Sequence, residues 1–239
     1  MGFLDMIFGG GGSQLDRQCK RVQNINAQPE DREAAAMYLA QDGSEQAIYG
    51  LLGRFDVRIE NAMKDANEKA FVFDLLVELG PPALEPAILF AKRCKNLANP
   101  LRLIETLGGT EPVLRTVLQM LDEEAAREDF KPDRKRHLLV KLADYQDPRI
   151  TPSAVRFLGD FDEGVRFAAV QAVVHQETDA GRDDLLAALA RPEEESNRVR
   201  VRIGEVAASR RWPLGAHAAA LTGNPPQGFR VRDGLLIPA

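Results

Sequence analysis

Twelve consecutive residues, Asp162-Glu163-Gly164-Val165-Arg166-Phe167-Ala168-Ala169-Val170-Gln171-Ala172-Val173, constrain the fold of this chain more than any other stretch. Counting from Val165, the apolar residues Ala169, Ala172 and Val173 follow at +4, +7 and +8, which at 3.6 residues per turn is one face of a helix. Asp162 precedes the run, where a short polar side chain accepts the unpaired N–H groups of a helix start. Phe167, Val170 and Val174 fall on roughly the opposite face, so the spacing predicts a helix with apolar neighbours on two sides. The small alanines between the larger residues let another helix pack close.

The register returns elsewhere in the chain. Val199-Arg200 lies 34 residues after Val165-Arg166, with Ile203, Val206 and Ala207 at the same offsets. Lys135-Arg136 lies 30 residues before Val165, with Leu139 and Leu142 at the matching +4 and +7 positions. Periods of this size mark helix-pair repeats, each of which buries its apolar face only by stacking on a neighbour.

The pattern Asp-x-x-Val-Arg-x-x-Ala-x-x-Ala-Val at 162–173 resembles the second helix of a HEAT repeat, and the chain looks like a bacterial HEAT-repeat protein, a HEAT-like helical repeat. The likeness is sharp over 147–210 and looser towards the N-terminus, and many HEAT units are somewhat longer. It implies an all-α fold, a right-handed HEAT-like α-solenoid of about six antiparallel helix pairs. Second helices would line a concave surface, and Arg166 and Arg200 would bond acidic residues of neighbouring repeats inside the stack.

The rest of the chain agrees with helix after helix. Pro29 marks a helix start, and 14–26 and 29–41 read as the first pair. Ser44 caps a helix carrying Ala47, Ile48, Leu51 and Leu52. Phe71, Leu75 and Leu79 mark a core helix over 58–79, which Gly80-Pro81-Pro82 ends. Asn99-Pro100 and Thr110 open the next two, and Trp212-Pro213 closes the last long helix. Beyond Pro225-Pro226, Phe229-Arg230-Val231-Arg232, Asp233-Gly234 and Leu235-Leu236-Ile237 read as a short β-hairpin, because Asp-Gly supplies the positive φ values of a tight turn. The expected domains are 1–12, an apolar tip with a glycine linker; 13–212, the helical repeats; and 213–239, a tail with a capping hairpin.

Chemistry is sparse. His137, His175 and His217 are isolated, Cys19 and Cys94 are far apart, and no metal-ligand spacing or phosphate-binding glycine motif occurs. No catalytic residue, metal or cofactor is therefore expected. The acidic run Glu193-Glu194-Glu195 reads as a favourable charge at a helix N-terminus. A formal net charge of -5 weakens a general nucleic-acid role. Alkylpurine DNA glycosylases, which also stack HEAT-like helices, use a strongly basic face with tryptophans, whereas this chain has one Trp. HEAT proteins acting on bilins share the repeat, which by itself carries no catalytic residue.

The expected function is that of a non-enzymatic, cytoplasmic HEAT-repeat adaptor or scaffold that mediates protein–protein interaction through its concave surface. The alternative is a nucleic-acid-associated HEAT-like protein, resembling the DNA-repair glycosylases. The basic residues Arg198, Arg200, Arg202, Arg210 and Arg211 are the candidate partner-binding set for either reading. Phe3, Leu4, Ile7 and Phe8, set apart by Gly9, Gly10, Gly11 and Gly12, form a candidate docking tip with at most weak peripheral membrane contact. No run is long and apolar enough to read as a transmembrane segment.

Overall fold

Several helix starts along the chain are fixed by short polar side chains. Ser13, Ser44, Asn61, Asp162 and Ser196 each accept the backbone N–H three residues ahead, at 3.0 to 3.3 Å, satisfying a donor that a first turn leaves without a partner. The computed structural model describes residues 13–126 and 132–239. Among them are thirteen α-helices and one two-stranded antiparallel sheet, so the fold is predominantly helical. The tip residues Phe3, Leu4, Ile7 and Phe8 and the glycines after them lie outside the described residues. The chain divides into two compact units between Thr116 and Val117.

The first unit contains α1 (Gln14–Val22), α2 (Pro29–Asp42), α3 (Glu45–Leu52), α4 (Ala62–Leu79), α5 (Leu84–Ala91) and α6 (Ala98–Gly108). Short 3-10 turns, Gly53–Asp56 and Pro81–Ala83, follow α3 and precede α5. Helix α7 (Thr110–Ala125) holds the boundary. Helix α3 packs on α1 and α5 while α4 packs on α2 and α6, so alternate helices form two layers, joined by the α1–α2 and α5–α6 contacts. Leu39, Ile48, Leu51, Leu52, Phe55 and Leu76 fill the space between them and are fully buried. Gly50 is required by close approach, since a Cβ there would stand 2.6 Å from Cys19 Sγ on α1.

The second unit is built around the signature helix. It contains α8 (Pro132–Leu142), α9 (Ile150–Ala154), α10 (Glu163–Val174), α11 (Arg182–Ala190), α12 (Asn197–Ser209) and α13 (Ala218–Gly223). Strands β1 (Phe229–Arg232) and β2 (Leu235–Pro238) end it. Helix α10 packs on α8, α9 and α12, and Val165, Ala169, Val170 and Ala172 are fully buried between those neighbours. Phe167 departs from the expected two-sided burial and is half-exposed.

The hairpin has Phe229 opposite Pro238 and Arg232 opposite Leu235. Asp233 and Gly234 have φ of 52° and 74°, the paired left-handed conformation that joins two strands in two residues. Strand β2 lies on α12, and Leu236 is buried there. Gly204 lets the tail approach, because a Cβ on it would come 3.2 Å from Pro226 and 3.3 Å from Phe229.

Several boundaries differ from the sequence expectation. The first helix stops at Val22, not 26, because Asn24 and Ala27 form a turn in which the Asn24 carbonyl accepts the Ala27 N–H. The helix expected from 58 begins at Ala62 behind its Asn61 cap, α6 begins at Ala98, and Thr110 is the first residue of α7 and not its cap. Helix α12 ends at Ser209, and the Trp212 N–H donates back to the Ala207 carbonyl at 2.9 Å.

Replacing Ala169 by Glu would bury a carboxylate with no partner against α8, α9 and α12. We expect a loss of several kcal/mol, on the order of an unpaired buried charge. A thermal melt followed by circular dichroism checks it, and an unchanged midpoint would mean that this face of α10 is not packed.

Candidate functional site

The fourth residue of α2, α8, α10 and α12 is in each case a cation: Arg32, Lys135, Arg166 and Arg200. One turn into a helix, a long side chain there reaches back past the cap to the preceding loop. Arg166 donates through Nη1 to the carbonyls of Asp160 and Phe161, both at 3.0 Å. Its Nε and Nη2 bond the two carboxylate oxygens of Glu194 at 2.7 and 3.0 Å, the bidentate geometry a planar guanidinium favours. Lys135 Nζ donates to Asp160 Oδ2 at 2.9 Å.

Asp160 and Glu194 occupy equivalent places, each two residues before a helix cap. Asp160 Oδ1 accepts the Asp162 N–H at 3.0 Å, and Glu194 Oε1 accepts the Ser196 N–H at 2.9 Å. Each carboxylate thus fixes the entrance of its own helix and binds the cation of the helix before. The series runs from α8 to α10 to α12. There it changes, for among the described residues Arg200 meets no carboxylate but donates to the carbonyls of Leu189 and Asn224.

A second set of bonds ties the opposite helix ends. Gln176 Nε2 donates to the carbonyls of Tyr145 and Ala172 at 3.0 Å, and its Oε1 accepts the Asp147 N–H at 2.9 Å. Arg210 donates to the carbonyls of Val174 and Thr178, placing a cation at the C-terminal end of α10. Trp212, buried, donates from Nε1 to Asp179 at 2.8 Å.

The first unit repeats the arginine clamp with an addition. Arg32 donates to the carbonyls of Asn24 and Ala27 and, through Nε and Nη2, to both oxygens of Glu68 at 2.8 and 2.6 Å. Arg54 joins the same carboxylate from the turn after α3 and also reaches Asp65 at 2.8 Å. Hydrogen bonding from Arg32, followed by its charge and that of Arg54, holds the Glu68 carboxyl below the usual range against the opposing effect of burial.

Between α10 and α12 the surface opens into a groove of about 690 Å³ lined by Phe167, Asn197, Arg198, Val201, Arg202, Glu205 and Gln227. Arg198 lies 4.1 Å over the Phe167 ring and bonds both oxygens of Glu163 at 3.0 and 2.8 Å. Arg202 bonds Gln171 Oε1 at 2.8 Å and Glu205 at 3.1 Å. The five arginines singled out from sequence therefore do not share one face. Arg198 and Arg202 line the groove, Arg200 is buried as a clamp, Arg210 is spent on the end of α10, and Arg211 is exposed with φ of 53°.

Glu194 escapes a reading of the sequence. The helix dipole accounts for the acidic run as a whole, yet Glu194 alone of the three is buried and binds Arg166. The available signal is the spacing of 34 residues between Asp160 and Glu194, equal to the repeat offset.

Among the described residues no group of three or more His, Cys, Asp or Glu could hold a metal ion. Cys19 is buried, and that burial pushes its thiol up to about 11, far from the thiolate a nucleophile needs. No family model, curated protein or solved structure matches the chain.

Two contrasts check the clamps. Glu194→Ala leaves Arg166 half-paired in a buried setting and should cost about 3 kcal/mol or more in urea unfolding, whereas Arg198→Ala breaks an exposed pair and should cost under about 1 kcal/mol. Acid stability reads the Glu68 clamp. Because its folded pKa lies below its unfolded value, its contribution is complete above the ordinary Glu range of about 4.3 and is lost as pH falls through that range towards the folded value. Unfolding free energies measured from pH 7 to pH 3 should fall less steeply in Glu68→Gln than in the parent chain.

Proposed function

We propose that this chain is a non-enzymatic adaptor built of HEAT-like helix-pair repeats, which binds a protein partner in the groove between α10 and α12. The repeat reading rests on the alternate-helix packing within each unit and on cations recurring at one helical position. The binding reading rests on one observation: the groove presents the half-exposed side chains of Phe167 and Val201 beneath arginines that already have partners.

An apolar floor with a polar rim is how a protein interface is composed. A nucleic-acid surface needs cations available to phosphate, and here Arg198 is held by Glu163 while Arg202 is held by Gln171 and Glu205. The partner is therefore a protein segment that inserts an apolar side chain between Phe167 and Val201 and exchanges hydrogen bonds with Asn197 and Gln227. Two free, buried cysteines suit a reducing compartment, and no helix among the described residues is long and apolar enough to cross a membrane.

Val201→Glu tests the groove, because it charges the floor at a half-exposed position that the fold does not need. Affinity capture from the native cell should retain a partner with the parent chain and with the control Arg211→Glu, and lose it with Val201→Glu at an unchanged melting temperature. Capture indifferent to Val201→Glu would remove the groove from the interface. A duplex shift that survives about 0.15 M salt and is lost in the Arg198→Glu, Arg202→Glu double variant would replace the protein partner by nucleic acid.

A further inference from the structure

A second concavity lies in the first unit, independent of the groove. It is a half-enclosed cavity of about 210 Å³ between α1, α2 and α4, with Val22, Ala36, Phe71 and Val72 as apolar walls and Arg32, Arg54 and Glu68 as its polar end. The two guanidiniums are 5% and 1% exposed, yet they share one carboxylate, Glu68. Asp65 is divided between Arg54 and Lys69. Arg32 and Arg54 thus both depend on Glu68, and the other acid that lines the cavity, Glu33, is exposed. The corresponding clamp of the second unit sets Arg166 against Glu194 one to one.

The donor inventory shows what the shared carboxylate leaves over. Arg32 bonds Asn24, Ala27 and both Glu68 oxygens, and Arg54 bonds Val57, Asp65 and Glu68. A guanidinium has five N–H groups, so after these bonds one N–H of each remains over among the described residues. A buried N–H of a cation is best matched by an anionic oxygen. Apolar walls beside it favour a hydrocarbon body, and a cavity of about 150 Å³ already holds a benzene.

We propose that this cavity binds a small apolar carboxylate, whose anionic oxygens take the remaining N–H groups of Arg32 and Arg54 while its hydrocarbon part lies against Val22, Ala36, Phe71 and Val72. Glu33 lines the same cavity, but it is exposed, so water screens its repulsion of the ligand.

Phenylacetate and benzyl alcohol, which share a ring and differ in charge, test this on the full chain by calorimetric titration and by ¹H–¹⁵N chemical-shift mapping. Phenylacetate should bind saturably at one site, shift resonances of α1, α2 and α4, and bind at least tenfold more tightly than benzyl alcohol. Glu33→Gln, an exposed change that leaves the fold intact, should tighten it by about twofold to threefold. Ala36→Leu, which fills the cavity, should abolish it at a melting temperature close to the parent's. Should Ala36→Leu fail to fold, the comparison of the two ligands on the parent chain and on Glu33→Gln decides alone. Equal binding of the two ligands, shifts elsewhere, or no saturable binding would each overturn the proposal.

Discussion

A cation one turn into a helix, bonded to a carboxylate two residues before the cap of the next stacked helix, sets the spacing of the second unit. The apolar faces of α8, α10 and α12 supply the larger share of the stabilisation, since burial of Val, Leu and Ala drives their association. Apolar contact is not directional, however, and a helix rich in alanine can slide by a turn at modest cost. The bonds from Lys135 to Asp160 and from Arg166 to Glu194 cannot slide. Taking such charges out of water costs about as much as their attraction returns, so their effect is on register more than on net stability.

Much of this arrangement is legible in the amino-acid sequence. The period of 3.6 around Val165, the caps Ser44 and Asp162 and the Asp233-Gly234 turn are local signals, decided by residues within a few positions of one another. The pairing of Arg166 with Glu194 spans 28 residues, and nothing local distinguishes Glu194 from Glu193 or Glu195. Arg200 is expected inside the stack and is buried there, but its partners are the carbonyls of Leu189 and Asn224 and not an acidic residue. Three arginines at steps of two look like a basic patch in sequence, but a helix turns them by about 200° at each step, so Arg200 faces the interior while Arg198 and Arg202 do not. The division between Thr116 and Val117 falls inside α7, where composition does not change.

The two units use the same device with different surplus. In the second, Asp160 and Glu194 are each matched by one cation and by the N–H of their own cap, and among the described residues Arg200 is met by carbonyls alone. In the first, Arg54 adds a second guanidinium to Glu68 at the edge of the cavity. The same clamp is therefore only structural in one unit and offers unused donors in the other.

Asp160 serves two joints at once, its side chain taking Lys135 and its carbonyl taking Arg166. A segment that runs from just after one cap to the next, 163–196, carries both halves of a joint, the arginine near its beginning and the glutamate near its end. Tandem duplication of that segment would give a copy that fits itself, with no compensating change needed in either neighbour. At Arg200 the joint takes another form, with the carbonyls of Leu189 and Asn224 in the place of a carboxylate.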